Sequence, residues 1–261
     1  MSFVEQVGVL ILTYNEGPNI ERTLGKLGWA RRILIIDSGS TDETIEIART
    51  HPQVEVIYRS FDDFASQCNF GLSRIESRWI LSLDADYELS DALVEELDGL
   101  TPTTNVCGYR ARFVYCVYGQ PLRGTLYPSR VVLYRREGAH YRKVGHGHQV
   151  ILDGQVEPLV NPIHHDDRKS LSRWFDTQQR YAHQEAEYID TNTILNRADR
   201  VRGMMWPAPF LVFLYTLVVK GCLLDGWPGW FYALQRLLAE TMLALALLER
   251  RIGGASAKET N

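Results

Sequence analysis

The chain has 261 residues, 45% of them hydrophobic, and no low-complexity tract; it is long and apolar enough to bury a large core, which excludes a disordered chain. A formal charge of -4 argues against a general nucleic-acid binder, but eight Arg or Lys against one Glu between Arg110 and Lys143 make the middle third a place to meet phosphate or an anionic surface. Cys68, Cys107, Cys116 and Cys222 form no C-x-x-C pair; with no basic-then-apolar leader over Met1 to Gln6, this predicts a reducing, cytoplasmic setting.

Val7 to Leu12 is an apolar, β-branched run that stops at the turn-rich Thr13-Tyr14-Asn15-Glu16-Gly17-Pro18, after which Ile20, Leu24 and Leu27 recur at helical spacing. The pattern repeats at once. Ile33 to Ile36 reads as a second buried strand, Asp37 to Asp42 as its loop and Thr44 to Thr50 as a helix, capped by Thr41 with Thr44 or Ser40 with Glu43. Val54 to Tyr58, Phe64 to Ile75 and Trp79 to Leu83 continue the alternation as strand, helix, strand. Strands alternating with helices predict a parallel sheet, with ligands bound beyond the carboxyl ends of its strands.

The fourth strand ends in Leu83-Asp84-Ala85-Asp86. Alternation along a strand points Asp84 and Asp86 the same way, and two like charges so placed are eased by a hard divalent cation. An acidic turn is the other reading of the same residues.

From Gly108 to Leu152 the text changes to short strands (Tyr109 to Tyr118, Ser129 to Arg135, His148 to Leu152), which predicts antiparallel additions. Asn161 to Lys169, containing His164 and His165, reads as a polar loop, and Ser170 as the start of a surface helix running to about Tyr188. Met204 to Val219 and Trp230 to Leu248 are apolar, but neither has the roughly 20 uninterrupted apolar residues of a spanning helix. The expectation is a helical hairpin in the membrane interface, with Trp206, Trp227 and Trp230 at headgroup depth and Arg197, Arg200, Arg202, Arg250 and Arg251 at its flanks. Packing on the sheet or on another subunit, as in a homo-oligomer, is the alternative.

Leu12-Thr13-Tyr14-Asn15-Glu16, Asp37-Ser38-Gly39-Ser40-Thr41-Asp42, Gln67-Cys68-Asn69-Phe70-Gly71 and Leu83-Asp84-Ala85-Asp86 stand in an order and spacing that resembles the family 2 glycosyltransferases of GT-A fold, firmly over residues 5 to 100. Residues 144 to 250 resemble, through scattered residues, the lipopolysaccharide core and cell-surface polysaccharide branch: Ile163-His164-His165, Lys169-Ser170-Leu171, Arg180-Tyr181 and Leu224-Asp225-Gly226-Trp227-Pro228-Gly229. The resemblance implies an α/β fold, a Rossmann-like mostly parallel sheet with helices on both faces, followed by the C-terminal helical hairpin. The expected organisation is a catalytic domain over 1–168 (nucleotide half about 1–105, acceptor half about 106–168), a connecting helix over 169–202, the hairpin over 203–252 and a tail over 253–261.

The resemblance further implies that Thr13, Tyr14, Asn15, Glu16, Asp37 and Ser38 hold the base and ribose of a nucleotide sugar, most often a UDP-sugar. Gln67 and Asn69 would approach its sugar or phosphates, although relatives often carry a basic residue near Gln67. Asp86, with Asp84 assisting at the metal or the ribose, would ligate Mg²⁺ or Mn²⁺, and His165 is the expected third ligand. The metal would stabilise the departing nucleoside diphosphate.

Inversion needs a group that takes the acceptor's proton. The branch has a His-Glu pair where this chain has Val144-Gly145-His146-Gly147-His148-Gln149, and a glutamine is no base. His148 becomes the first candidate and Asp166 the second, while a zinc site from His146, His148 and His164 or His165 is a competing reading. The expected enzyme is peripheral to the cytoplasmic membrane, transferring to a lipid-linked or lipopolysaccharide-type acceptor. The alternatives are transfer to polyprenyl phosphate held by the Arg110 to Lys143 cluster, or a non-catalytic sugar-nucleotide-binding membrane protein. No G-x-G-x-x-G follows the first strand, which argues against a dinucleotide enzyme.

Overall fold

The computed structural model describes residues 2–144, 147–192, 195 and 197–259. The chain divides into two compact units, Met1–Pro121 with Tyr127–Arg168 and Leu122–Leu126 with Lys169–Asn261.

In the first unit, after a short 3₁₀ turn (Phe3–Gln6), the chain runs β1 (Val7–Thr13), α1 (Ile20–Gly25), β2 (Ile33–Asp37), α2 (Thr44–Arg49), β3 (Val54–Tyr58), α3 (Phe64–Arg74), β4 (Trp79–Asp84), β5 (Tyr87–Leu89) and α4 (Asp91–Asp98). It continues through β6 (Val106–Ala111), β7 (Phe113–Val117), β8 (Gln120–Pro121), β9 (Arg130–Arg135), β10 (His140–Val144), β11 (Gly147–Ile151), β12 (Gln155–Pro158) and β13 (Ile163–His165). The main sheet has the order β12-β6-β9-β4-β1-β2-β3, and every neighbouring pair is parallel except those of β9, which is antiparallel to both β4 and β6.

Alternation sends Val9, Ile11, Ile33, Ile35, Leu81 and Leu83 to one face, against Leu24 of α1, Ala48 of α2 and Leu93 of α4. Leu10, Leu34, Ile36 and Ile80 go to the other face, against Ala65, Cys68 and Leu72 of α3. Helices on both faces leave the carboxyl edge open. The four cysteines are free and buried.

Three expectations are corrected in this unit. Tyr109 to Tyr118 is two strands in different sheets, since β7 leaves the main sheet and joins β13, β5 and β8 in a second, four-stranded one. The expected polar loop at His164-His165 is strand β13, held between β5 (antiparallel) and β7 (parallel) by pairings remote in sequence. The start of α2 is held by Asp42 Oδ1, which accepts from Thr44 N at 3.1 Å, and not by Thr41 or Ser40.

In the second unit Ser170 Oγ accepts from Arg173 N and caps α5 (Leu171–Thr191), which is followed by α6 (Arg197–Arg202), α7 (Pro207–Leu214), a π turn (Tyr215–Val219), a 3₁₀ turn (Cys222–Asp225) and α8 (Trp227–Glu259). Ala182, Ala186 and Ile189 of α5 pack on Leu243, Ala246 and Leu247 of α8. Of the two apolar pieces, the first stays short as expected, Pro207–Val219, and the second is longer than expected. Trp227–Gly253 lies in one unbroken helix, long and apolar enough by length and composition to cross a membrane, because Arg236 and Glu240 are accommodated on it rather than ending it.

The motif Leu224 to Gly229 acquires a physical role. Asp225 accepts from Arg123 N at 3.0 Å and Arg123 Nε at 3.1 Å, and Tyr232 Oη accepts from Leu126 N at 3.0 Å, so the 3₁₀ turn and the start of α8 clasp Leu122–Leu126. A Cβ on Gly229 would lie 1.8 Å from the Cys222 carbonyl oxygen, so only glycine fits there.

Candidate active site

Parallel register lines up the ends of β1 to β4. Thr13 stands beside Asp37, Asp37 beside Tyr58, and Leu12 beside Asp84. The polar loops that follow therefore share one edge, as expected of a doubly wound sheet.

The first two loops are knitted together. Asn15, at a φ of 54°, donates its N–H to Ser40 Oγ at 2.8 Å, and its side-chain oxygen accepts from Thr41 N at 2.6 Å. Glu16 N donates to Thr44 Oγ1 at 2.6 Å, and Tyr14 is half exposed. Asp37 is buried, and its carboxylate accepts from Thr13 Oγ1, from Gly39 N and Ser40 N, and from Ser40 Oγ. Asp37 thus shapes the loop on which Ser38 and Gly39 are presented.

Gln67 is buried in α3, donates to Ser38 Oγ at 3.1 Å and to Arg59 O at 3.0 Å, and accepts from Arg59 Nη1 at 2.8 Å. Arg59, after β3, is thereby held at Gln67, and its guanidinium also bonds Asp62. Asn69 faces elsewhere: its amide donates to Tyr141 O and accepts from Tyr141 N, which anchors β10 on α3.

The strand ends at Asp84 and Asp86 sits in the turn before β5, yet both side chains are part-exposed between buried Leu83, Ala85 and Tyr87, and both charges act on His165 and Arg130. The Asp84 side chain is 43% exposed, with Arg130 Nη1 at 3.9 Å from its Oδ2. Antiparallel register, Leu81 with Leu133, is what brings the first residue of β9 beside the last of β4.

The Asp86 side chain is only 12% exposed, and its Oδ2 lies 3.2 Å from His165 Nε2. His165 arrives there because β13 pairs it with Tyr87 on one side and Tyr115 on the other. Its ring is walled by Tyr127, Tyr115 and Tyr87, at centroid distances of 4.5, 4.8 and 5.4 Å. Burial alone lowers the His165 pKa, but the Asp86 charge and hydrogen bond, with Asp84 and Asp167, outweigh it and raise the net value. His165 Nδ1 is buried and has no hydrogen-bond partner among the described residues.

Tyr127, missed from sequence, spans both halves. Its hydroxyl meets that of Tyr87 at 2.5 Å, its ring borders His165, and the Arg130 guanidinium lies 5.0 Å from its centroid.

The candidate bases differ in availability. Asp166 is buried, with Oδ1 accepting from Gly119 N at 3.2 Å and Oδ2 from Arg168 Nε at 2.8 Å, which makes it a clasp for its own loop. His148 on β11 lies between the rings of Phe64 and Tyr141. Burial lowers its pKa, as does Arg130, against the opposing pull of Asp84 and Asp63. His146, part of the competing zinc reading, lies outside the described residues. Among the arginines of the middle third, Arg112 bonds Val160 O, Arg123 bonds Asp225, and Arg135 bonds Val106 O and Thr103 O.

Residues 8–142 match the family described as Glycosyl transferase family 2. The chain is 29% identical over 109 residues to an uncharacterised glycosyltransferase of Rickettsia prowazekii, covering 41% of this chain and 37% of that one. It is 28% identical over 160 residues to the lipopolysaccharide core biosynthesis glycosyltransferase LpsC of Rhizobium meliloti, covering 58% of each. These matches span about two fifths to three fifths of the relatives' lengths. Among solved structures, a mannosyltransferase of Pyrobaculum calidifontis, in complex with GDP-Man and Mn²⁺, superposes with a TM-score of 0.55 at 14% identity, over 93% of this chain and 87% of that one. That likeness is one of fold.

Proposed function

Since the chain belongs to glycosyltransferase family 2, we propose that it moves a sugar from a nucleotide donor, a UDP-sugar by preference, to a hydroxyl of a lipid-linked or lipopolysaccharide-type acceptor, with inversion and with a divalent metal. The observation that carries this reading is the pair of charged couples at the carboxyl edge of the sheet, Asp84 with Arg130 and Asp86 with His165.

The residues fit a metal. Two ligands at about 2.1 Å from an octahedral ion and at right angles to each other are about 3 Å apart, so the 3.2 Å between His165 Nε2 and Asp86 Oδ2 suits two neighbouring coordination positions as well as a direct hydrogen bond. Among the described residues no three His, Cys, Asp or Glu are grouped as a metal site. That suits Mg²⁺ or Mn²⁺, which take one or two protein ligands and complete their shells with substrate phosphates and water. Asp86 and His165, with Asp84 assisting, would hold the ion, which would supply Lewis-acid stabilisation of the leaving diphosphate.

The chain's own side chains do the rest. The loops carrying Asn15 and Ser38 present backbone and hydroxyl groups to the nucleoside, and Arg130 offers a fixed positive charge where the phosphates would pass. The acceptor oxygen attacks the anomeric carbon as the bond to the diphosphate oxygen breaks. The departing oxygen takes that electron pair, and the acceptor's proton passes to the unprotonated ring nitrogen of His148. LpsC, by its name, supports the acceptor class.

The direct test incubates the full chain with UDP- and GDP-sugars, with and without Mn²⁺. Expected is donor binding and slow hydrolysis that needs the metal, and silence with every donor would sink the reading. The His148 role has its own signature. A lowered pKa keeps the imidazole neutral below the ordinary value of about 6.5, so the acid limb of the transfer rate should fall below that pH and vanish in His148→Gln. An unchanged limb in the variant would exclude His148 as the base. The same shift gives an acid-side loss of stability, because below the ordinary pKa the unfolded chain takes up a proton that the folded chain resists.

A further inference from the structure

Asp86 and His165 come from segments 79 positions apart, and the ladder between β5 and β13 ends at the pair Tyr87 with His165. Asp86 lies one residue beyond that ladder, so sheet pairing alone does not fix it. Side chains of α1 and of the residue before it supply the missing anchors. Thr23 is buried, and its hydroxyl donates to the buried Ala85 carbonyl at 2.7 Å. A threonine inside a helix commonly returns its hydroxyl to a carbonyl of the preceding turn. Thr23 instead crosses to the residue between Asp84 and Asp86 and fixes the backbone of their turn.

Arg22 serves the other segment. Its Nη2 donates to the Asp166 carbonyl at 2.6 Å, and its Nη1 donates to the Pro18 carbonyl at 2.8 Å. Asn19, buried just before α1, accepts from Arg168 N at 2.9 Å with its side-chain oxygen, and its amide donates to Asp167 Oδ1 and Glu16 Oε2, each at 2.9 Å. Residues 166–168, which follow His165, are thereby tied to the first loop. Asp166 N closes the frame by donating to Asp86 O at 3.1 Å.

We propose that Thr23 and Arg22 are positioning residues for the metal. Thr23 sets the turn that carries Asp86, Arg22 sets the backbone that follows His165, and together they hold the 3.2 Å between His165 Nε2 and Asp86 Oδ2 before an ion arrives. Groups behind metal ligands govern affinity because they fix a geometry that the ion would otherwise have to impose. A guanidinium has no lone pair to give a cation, and Thr23 Oγ1 is committed to Ala85, so both act through other residues. This role rests on the metal reading of Asp86 and His165.

The test measures Mn²⁺ binding itself, by loss of the free-ion electron paramagnetic resonance signal, with the full chain and UDP or GDP in separate titrations, against the nucleotide alone and below the unfolding temperature of each variant. Expected is a dissociation constant weakened about 10- to 100-fold in Thr23→Val and in Arg22→Met, and restored in Thr23→Ser, which keeps the hydroxyl. The Arg22 side chain is 23% exposed, so Arg22→Met carries the test should Thr23→Val fail to fold. Unchanged affinity in the folded variants beside a lowered unfolding temperature would make these contacts merely structural, and equal weakening in Thr23→Ser and Thr23→Val would assign the effect to packing. Either result overturns the proposal and leaves the metal reading standing, as long as the wild type binds Mn²⁺ and Asp86→Asn does not. A wild type that binds no Mn²⁺ with either nucleotide overturns both.

Discussion

Asp86→Asn is expected to lower Mn²⁺-dependent donor turnover by about two to three orders of magnitude, the loss that follows when roughly 3–4 kcal/mol of leaving-group stabilisation disappears at 1.36 kcal/mol per tenfold. Asparagine keeps the volume of the side chain and an oxygen that can face His165, so the β5 and β13 pairing should survive and thermal unfolding should move little. Asp84→Asn should cost less. Its side chain is 43% exposed, beside water that can replace it, whereas Asp86 is 12% exposed and paired with His165. Steady-state hydrolysis of the best donor across a Mn²⁺ titration separates the two, since loss of a ligand raises the metal needed for half-activity as well as lowering the plateau. Full activity in Asp86→Asn at ordinary Mn²⁺ would mean that Asp86 only holds His165, and the metal reading would fall with it.

The difference between the two aspartates also marks how far the sequence could be read. Everything that depends on local pattern was legible: the apolar runs at Val7, Ile33, Val54 and Trp79 are strands, the segments between them are helices, and the polar loops share the edge that the strand direction dictates. Partners brought in by remote pairing were not. Arg130 meets Asp84 because β9 runs against β4, and His165 meets Asp86 because β13 slots between β5 and β7; neither register has a local signal. Tyr127 was missed for the same reason. Asp37 and Asn69, expected from their motifs to contact the donor, are hydrogen-bonded in this structure to Ser40 and to the backbone of Tyr141.

The helical unit shows the same limit with a larger energy attached. Arg202, read from sequence as one of several basic flanks, is at the centre of a buried cluster, bonding Glu185 at 2.7 Å and Glu240 at 3.1 Å with Asp199 at 4.0 Å. All three acids are less than a tenth exposed, and a guanidinium with several donors can serve two carboxylates at once. Burial on its own lowers the Arg202 pKa, but Glu240 and Glu185 overcome it and raise the net value, so the charge is permanent. Arg202→Leu should therefore destabilise the helical unit by about 3–5 kcal/mol, because it leaves buried carboxylates without their counter-charge rather than because it removes a favourable pair. Second-site changes distinguish this from simple loss of packing: in denaturant unfolding, Glu185→Gln with Glu240→Gln in the Arg202→Leu background should recover part of the deficit. A deficit that ignores the second-site changes would assign Arg202 to packing, with the acids held by other partners.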